Sequence, residues 1–136
     1  MSVRIESTYL GDLRFESVHG PSKVKLVTDA PVDNHGKGES FSPTDLVATA
    51  LVNCMGTLMG IKAKGMGLDL RGMTFSVEKV MSEDAPRRIV ALPITVTVPA
   101  PTTEEQRRSL MAAADTCPVT KSIRADIERP VTWNWK

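Results

Sequence analysis

The sequence contains few of the residues that build metal centres and disulfide frameworks. Its 136 residues include two cysteines, Cys54 and Cys117, and two histidines, His19 and His35. Two cysteines cannot complete a tetrahedral zinc site alone, and neither histidine stands at a metal-ligand spacing from them. We therefore expect no metal, and we expect both thiols to be reduced, as in most cytosolic proteins.

The chain also lacks an excess of charge of either sign. It has 17 basic and 16 acidic residues and a net charge of +1, so nothing favours nucleic acid or an anionic membrane as a partner. The sequence does not open with a basic segment followed by an apolar run, so we predict no secretory signal and a cytoplasmic location. The length is typical of a single domain, which we place over residues 1–136.

The longest apolar segment is predicted to form a buried helix from Ser42 to Lys64. Its apolar residues are too many to lie on one stripe of about 100°. Ser42 is suited to cap the helix, with Pro43 at the first position and Asp45 three residues after the cap. Small and polar residues interrupt the segment, so we do not predict a membrane span: Thr49, Asn53, Gly56, Thr57 and Gly60.

Alternation of apolar and polar residues predicts strands on both sides of this helix. The predicted strands cover residues 3–10, 13–18, 23–27, 73–81, 88–98 and 131–135. In the third, Val24 and Leu26 are expected to face inward, and the following loop, 29–41, is expected to be mobile. Thr102 and Glu105 have capping-box spacing at the start of a second helix, and a shorter helical run is expected over 119–125. The predicted class is α+β with mainly antiparallel sheets.

The central helix also predicts a homodimer. A single chain of this length can cover a helix that is apolar all round only in part. Gly56 and Gly60 stand four residues apart, and Thr49, Asn53 and Thr57 form a row at the same step, so another backbone could approach closely there. The alternative is that these residues face a sheet of their own chain.

The two cysteines differ in their predicted surroundings. Cys54 lies 12 residues after Ser42, so the positive end of its helix cannot lower its pKa, and only a nearby cation could make it a thiolate. A purely structural role as a packed thiol is equally open for Cys54. Pro118 is suited to the first position of a helix, which places Cys117 at the N-cap, where free N–H groups favour a thiolate. On local grounds Cys117 is the better candidate for a low-pKa thiol.

Two segments resemble the paired cysteine motifs of the OsmC/Ohr superfamily, the osmotically inducible and organic hydroperoxide resistance proteins. They are SPTDLVATALVNCMG and, with its cysteine 63 residues later, TCPVTKSI. The resemblance extends along the chain through the three N-terminal strands, the glycine-containing loop and the GLDLRGM connector. It implies an OsmC-like α+β fold and an intertwined homodimer with two active sites at the subunit interface. It also implies thiol peroxidase activity toward organic hydroperoxides, with no metal or flavin cofactor.

The resemblance assigns roles to individual residues. Cys54 corresponds to the peroxidatic cysteine, which overrides the local preference for Cys117, and Cys117 corresponds to the resolving cysteine. The implied cycle passes from a Cys54 sulfenic acid to a Cys54–Cys117 disulfide, which an external thiol or a lipoylated protein reduces. The family arginine from the N-terminal hairpin corresponds best to Arg14, and less well to Arg4.

One position departs from the family pattern. The family peroxidases carry a glutamate ten residues before the first cysteine, and here that position is Thr44. Asp45 is better placed as a cap, because nine residues at about 100° each put it opposite Cys54. Glu39, in the preceding loop, is the candidate carboxylate that would hold Arg14.

Two functional hypotheses therefore stand. The first is a hydroperoxide-reducing enzyme that uses Cys54 and Cys117, and the presence of both cysteines favours it. The second is an OsmC-like binding protein, without peroxidase activity, for a small apolar ligand, and Thr44 favours it. The adaptable side chains of Met55 and Met59 would suit the lining of either site, although core packing is their more common role.

Overall fold

The computed structural model describes all 136 residues, which form two compact units, Met1–Leu46 and Val47–Lys136. The smaller unit contains strands β1 (Ile5–Gly11), β2 (Arg14–His19) and β3 (Lys25–Thr28). They form an antiparallel sheet in the order β1-β2-β3. The three N-terminal strands predicted from alternation are thus confirmed.

One face of this sheet is apolar and uncovered by the chain. Tyr9 of β1 pairs with Phe15 of β2, and their rings lie 5.2 Å apart. The prediction that Val24 and Leu26 face inward is wrong, because they are 65% and 46% exposed. The alternation correctly identified a face, but a face of a three-stranded sheet is buried only if something packs on it.

The loop over residues 29–41 is closed by backbone hydrogen bonds. Asp29 N–H donates to the carbonyl of Phe41 at 3.0 Å, which joins the two ends of the loop. A 3-10 turn covers Val32–Asn34, and Gly38 N–H donates to the Ala30 carbonyl at 3.1 Å. The expected loop is therefore present, and it is a compact structure whose ends are joined.

Gly36 is the tightest point of this loop, because a Cβ there would lie 1.8 Å from the carbonyl oxygen of Ala30. We expect Gly36→Ala to open the loop and to lower the free energy of unfolding by roughly 1–3 kcal/mol, as overpacking does. Urea unfolding of the variant measures this. Gly65→Ala is the matched control, since a Cβ at Gly65 meets nothing within 4 Å. Equal midpoints for the two variants would contradict the expectation.

The long helix α1 covers Pro43–Gly65, within one residue of the predicted bounds. Its predicted cap is confirmed in detail. Ser42 Oγ accepts a hydrogen bond from Asp45 N–H at 3.1 Å, and the Asp45 carboxylate accepts one from Ser42 N–H at 2.8 Å. Asp45 thus reaches back to the cap in a reciprocal capping box.

Helix α1 buries one stripe, rather than its whole surface as the sequence suggested. The buried residues follow steps of three and four: Ala48, Leu51, Val52, Met55, Met59 and Ala63. On the other side, Ile61 is 65% exposed. By length and composition alone α1 could also cross a membrane, with a mean hydropathy of 1.5 over 18 residues. The core helix of a globular protein meets the same criterion, and α1 carries the central stripe of the core of the larger unit.

The two strands expected after α1 are each interrupted. They form β4 (Thr74–Val77) and β5 (Val80–Met81), then β6 (Ile89–Ala91) and β7 (Ile94–Val98). The second interruption falls at Pro93, which has no N–H to give to a ladder. The strands join two sheets, one in the order β4-β7-β8 and one of β5 with β6. The predicted inward row is confirmed at four of its five members, since Val90 is only half-buried. The buried members are Leu92, Ile94, Val96 and Val98.

The last strand, β8 (Val131–Trp135), has the predicted bounds and pairs in parallel with β7. Helices α2 (Glu104–Ala114) and α3 (Pro118–Ser122) connect these two strands. The predicted cap of α2 is wrong by one residue, since Thr103 and Gln106 form the capping box. Thr102 instead accepts a hydrogen bond from Arg107 Nε at 2.9 Å. Mainly antiparallel pairing with helices confirms the α+β class.

Candidate active site

The fold of the larger unit brings Cys54 and Cys117 together. Cys54 lies in the middle of α1, and Cys117 is the N-cap of α3, with Pro118 at the first helical position. Both thiols are free, and they lie near enough for each to affect the pKa of the other. Two residues 63 positions apart in the sequence thus form one dithiol site.

Cys117 is fully buried at the start of α3. Its thiol donates to the carbonyl oxygen of Leu51, with a sulfur–oxygen distance of 3.9 Å. Burial raises the pKa of the Cys117 thiol, but contacts with the Cys54 thiol, the Thr120 backbone and hydroxyl, and the Val119 backbone outweigh it. The net result is a lowered pKa, in agreement with the N-cap position predicted from Pro118.

Cys54 is half-buried and has the opposite balance. Burial raises the pKa of its thiol, and the hydrogen bond with Cys117 raises it further, while a backbone contact with Val119 lowers it. None of these causes is a cation. Within the pair, Cys117 therefore ionises first, and a cation from elsewhere is needed if Cys54 is to be the nucleophile.

The N-terminal unit holds a charged cluster around Arg14, the first residue of β2. Nη2 of Arg14 lies 3.4 Å from Oδ2 of Asp29 and makes a short contact with the carboxylate of Glu39. The contact predicted between Arg14 and Glu39 is therefore present. Arg4, the weaker candidate, is exposed and pairs with Glu6 at 3.8 Å.

Asp29 is a member of this cluster that the sequence reasoning missed. Its side chain is 1% exposed, and it accepts hydrogen bonds from the backbone N–H groups of Ala30 at 2.9 Å and Glu39 at 3.0 Å. The bond from Glu39 N–H is the main reason that the pKa of the Asp29 carboxyl is lowered, against burial, which raises it. The sequence did contain a signal for Asp29, namely its position between a predicted strand and a turn-rich loop. An aspartate side chain at such a position often accepts hydrogen bonds from nearby backbone N–H groups.

The position of the absent family glutamate lies in the first turn of α1. Thr44 is half-buried there, and its hydroxyl lies 3.2 Å from that of Ser42. Asp45 is engaged in the capping box, as the sequence predicted. Neither residue places a carboxylate where the family pattern has one.

A cavity that could hold a ligand lies beside the dithiol site in the larger unit. Leu51 and Thr120, which contact Cys117, line a cavity of about 190 Å³ together with Met55, Ile94 and Arg129. Met59 belongs to the packed core, with no exposed surface. No three His, Cys, Asp or Glu residues of the chain are grouped so that they could hold a metal ion.

Comparison with known proteins gives a consistent result. The OsmC-like protein family matches residues 36–131. A crystal structure from Psychrobacter arcticus 273-4 is 45% identical to this chain, with a TM-score of 0.93 and coverage of 98% and 97% of the two chains. That protein is provisionally named an osmotic stress induced and detoxification response protein.

More distant structures share the fold. An organic hydroperoxide resistance protein from Elizabethkingia anophelis is 15% identical, with a TM-score of 0.78 and coverage of 100% and 97%. An OsmC-like protein of unknown function from Vibrio cholerae O1 biovar eltor str. N16961 is 11% identical, with a TM-score of 0.78 and coverage of 100% and 99%. A comparison with curated proteins finds no match. The family match over most of the chain and the 45% identical structure show that this chain belongs to the OsmC-like protein family.

Proposed function

We propose that this protein reduces organic hydroperoxides with Cys54 and Cys117. The observation that carries the proposal is the proximity of the two thiols, each of which affects the pKa of the other, because a sulfenic acid formed on one then lies near the other. Family membership supports it, since structures of the same fold include proteins named for organic hydroperoxide resistance. The lowered pKa of Cys117 also suits a resolving residue, which must attack as a thiolate.

The proposed cycle has three balanced steps. The Cys54 thiolate attacks the peroxide O–O bond, takes one oxygen as a sulfenic acid and releases the alcohol after protonation. The Cys117 thiolate then attacks the sulfenic sulfur, which forms the disulfide and expels hydroxide, released as water. An external dithiol of the lipoyl type reduces the disulfide and is itself oxidised to a disulfide.

Arg14 is the proposed source of the charge that activates Cys54. The pKa of the Cys54 thiol is raised, and no cation of the chain is among the causes of that shift. A guanidinium close to a partly buried thiol would reverse the shift, because the loss of solvent strengthens the ion pair. Arg14 suits this role, since it is two-thirds buried and already oriented by carboxylates.

A peroxide-consumption assay with a dithiol reductant tests the function. With catalytic amounts of protein, we expect cumene hydroperoxide to be consumed over many turnovers when dihydrolipoamide is present, and for no more than one turnover when it is absent. Hydrogen peroxide provides the comparison with a substrate that has no organic group. If organic peroxide is not consumed while both thiols remain reduced, the proposal is wrong.

A second candidate function is a binding protein for a small apolar ligand. Thr44 in place of the family glutamate and the raised pKa of Cys54 both favour it. The cavity of about 190 Å³ beside Met55 gives a ligand of modest size a place to bind. The same assay separates the two functions, since a binding protein would not turn over peroxide.

We also propose that the chain forms a homodimer. Large apolar side chains remain exposed on the sheet of the N-terminal unit, among them Ile5 at 63%, Tyr9 at 55% and Phe15 at 41%. Of the two glycines that predicted a close approach of another backbone, only one supports the dimer. A Cβ at Gly56 would lie 3.1 Å from the Phe75 ring of its own chain, whereas a Cβ at Gly60 would meet nothing within 4 Å.

Sedimentation velocity tests the dimer directly. At micromolar concentration we expect about twice the 14.8 kDa mass of the chain. Ile5→Lys should dissociate it, because a lysine placed in an apolar interface loses its hydration without a partner. Glu6→Lys is the matched control, since Glu6 lies on the other face of the same strand. A 14.8 kDa species for the unmodified protein would exclude the dimer.

A further inference from the structure

The two carboxylates around Arg14 differ in their surroundings. The side chain of Asp29 is 1% exposed, whereas that of Glu39 is 58% exposed. An exposed ion pair is weakened by solvent and by salt, and it must restrain two long side chains. A buried carboxylate acts through a medium that screens it much less. The shorter contact with Glu39 is therefore not the stronger restraint on Arg14.

The backbone also fixes Asp29 in place. Its Oδ1 accepts from Ala30 N–H at 2.9 Å, and its Oδ2 accepts from Glu39 N–H at 3.0 Å while it faces Arg14. Asp29 N–H closes the loop by donating to Phe41. The carboxylate is thus held at a fixed point, and its short side chain leaves it little freedom.

We infer that Asp29 is the positioning residue for Arg14, in place of the carboxylate that the family has at position 44 and that this chain lacks. The inference rests on the proposed function only in so far as Arg14 serves Cys54. It replaces the sequence-based assignment of Glu39 to this role. Glu39 contributes mainly through its backbone N–H, which binds Asp29.

The orientation of Arg14 shows what this positioning achieves. Both carboxylates are met by Nη2, and Nε of Arg14 is buried without a hydrogen-bond partner. A buried N–H group without an acceptor is costly, and such groups are rare unless a site has a use for them. Asp29 therefore holds the guanidinium through Nη2, and Nε–H is left without an acceptor in this chain.

The Nε–H signal of Arg14 in NMR tests the positioning without any use of activity. In Asp29→Asn we expect this proton to lose its protection from exchange with solvent. In Glu39→Gln we expect most of the protection to remain. Glu16→Gln is the matched control, because Glu16 lies on the same strand and pairs with Lys25 at 3.8 Å instead. Equal losses in Asp29→Asn and Glu39→Gln would overturn the inference.

Alkylation of Cys54 by iodoacetamide tests the consequence for the thiol. We expect Asp29→Asn to slow it about tenfold at pH 7, the effect of one pKa unit, and to have no further effect in an Arg14→Ala background. An equal slowing without Arg14 would show that Asp29 acts only through the fold. If Arg14→Ala leaves Cys54 unaffected while Asp29→Asn still loosens Arg14, the role of Arg14 fails and the positioning stands.

A third measurement keeps Asp29 unchanged, in case Asp29→Asn does not fold. The Asp29 carboxyl is titrated by carbon NMR in the unmodified protein and in Arg14→Ala. We expect its pKa to rise when the guanidinium is removed, because the charge of Arg14 contributes to lowering it. An unchanged Asp29 titration would mean that the two side chains do not interact, and the inference would be wrong.

Discussion

Cys54→Ser is expected to abolish peroxide turnover. Cys117→Ser is expected to reduce one peroxide per chain and then to stop. The first variant lacks the sulfur that accepts the oxygen. The second still forms the Cys54 sulfenic acid, but a serine hydroxyl cannot condense with it to a disulfide. Serine at position 117 retains a donor for the Leu51 carbonyl that the thiol contacts, so the packing should survive.

Mass spectrometry after a single equivalent of peroxide distinguishes the two variants. We expect a sulfenic acid adduct on Cys54 of Cys117→Ser, trapped by a dimedone-type reagent, and no adduct on Cys117 of Cys54→Ser. The unmodified protein should instead gain a disulfide, seen as the loss of both free thiols. An adduct on Cys117 of Cys54→Ser, with activity retained, would reverse the roles. The lowered pKa of Cys117 makes this the informative alternative.

The sequence predicts best those features that depend on neighbouring residues. The start of α1 follows from Ser42, Pro43 and Asp45, which are close in sequence and can interact without any contribution from the rest of the chain. The same holds for the N-cap at Cys117, which Pro118 determines. Where two adjacent residues could both serve, as Thr102 and Thr103 could at α2, local chemistry does not choose. Contacts with Arg107 and Gln106 decide it.

Burial was the property that the sequence predicted least well. Leu26 lies on the apolar face that alternation indicated, yet it is 46% exposed. Asp29 has the composition of a loop residue, yet it is 1% exposed and central to the Arg14 cluster. Both outcomes depend on which segments pack over a residue, and those segments can be far from it in the sequence. The contact between Cys54 and Cys117 is of the same kind, and the family resemblance, rather than their spacing, anticipated it.

The two thiols also show why the assignment of the nucleophile cannot rest on local pKa alone. In the larger unit Cys117 has the lowered pKa and Cys54 the raised one. In the proposed cycle this order is useful at the reductive step. A reductant that attacks Cys54 in the disulfide expels the Cys117 thiolate, and the thiol of lower pKa leaves faster. The half-buried Cys54 is also more accessible to an external thiol than the fully buried Cys117.

Arg14→Ala is expected to slow the alkylation of Cys54 by iodoacetamide at pH 7 by about tenfold or more, since one pKa unit changes the thiolate fraction by that factor. A free thiol with a pKa near 8.5 is only a few per cent thiolate at neutral pH. Burial and the hydrogen bond with Cys117 raise the pKa of Cys54 further. Only a close cation can offset both effects, so its removal should leave Cys54 largely protonated.

Cys117 provides an internal control in the same experiment. It is fully buried, and contacts at the start of α3 help to lower its pKa, so Arg14→Ala should leave its slow alkylation nearly unchanged. Arg4→Ala is the matched variant, because Arg4 carries the same charge but is exposed and paired with Glu6. If Cys54 reacts at the same rate with and without Arg14, the charge assignment fails. If Cys54 in the unmodified protein also has a pKa above about 8, close to that of a free thiol, the protein has no activated nucleophile. The binding function then becomes the better proposal.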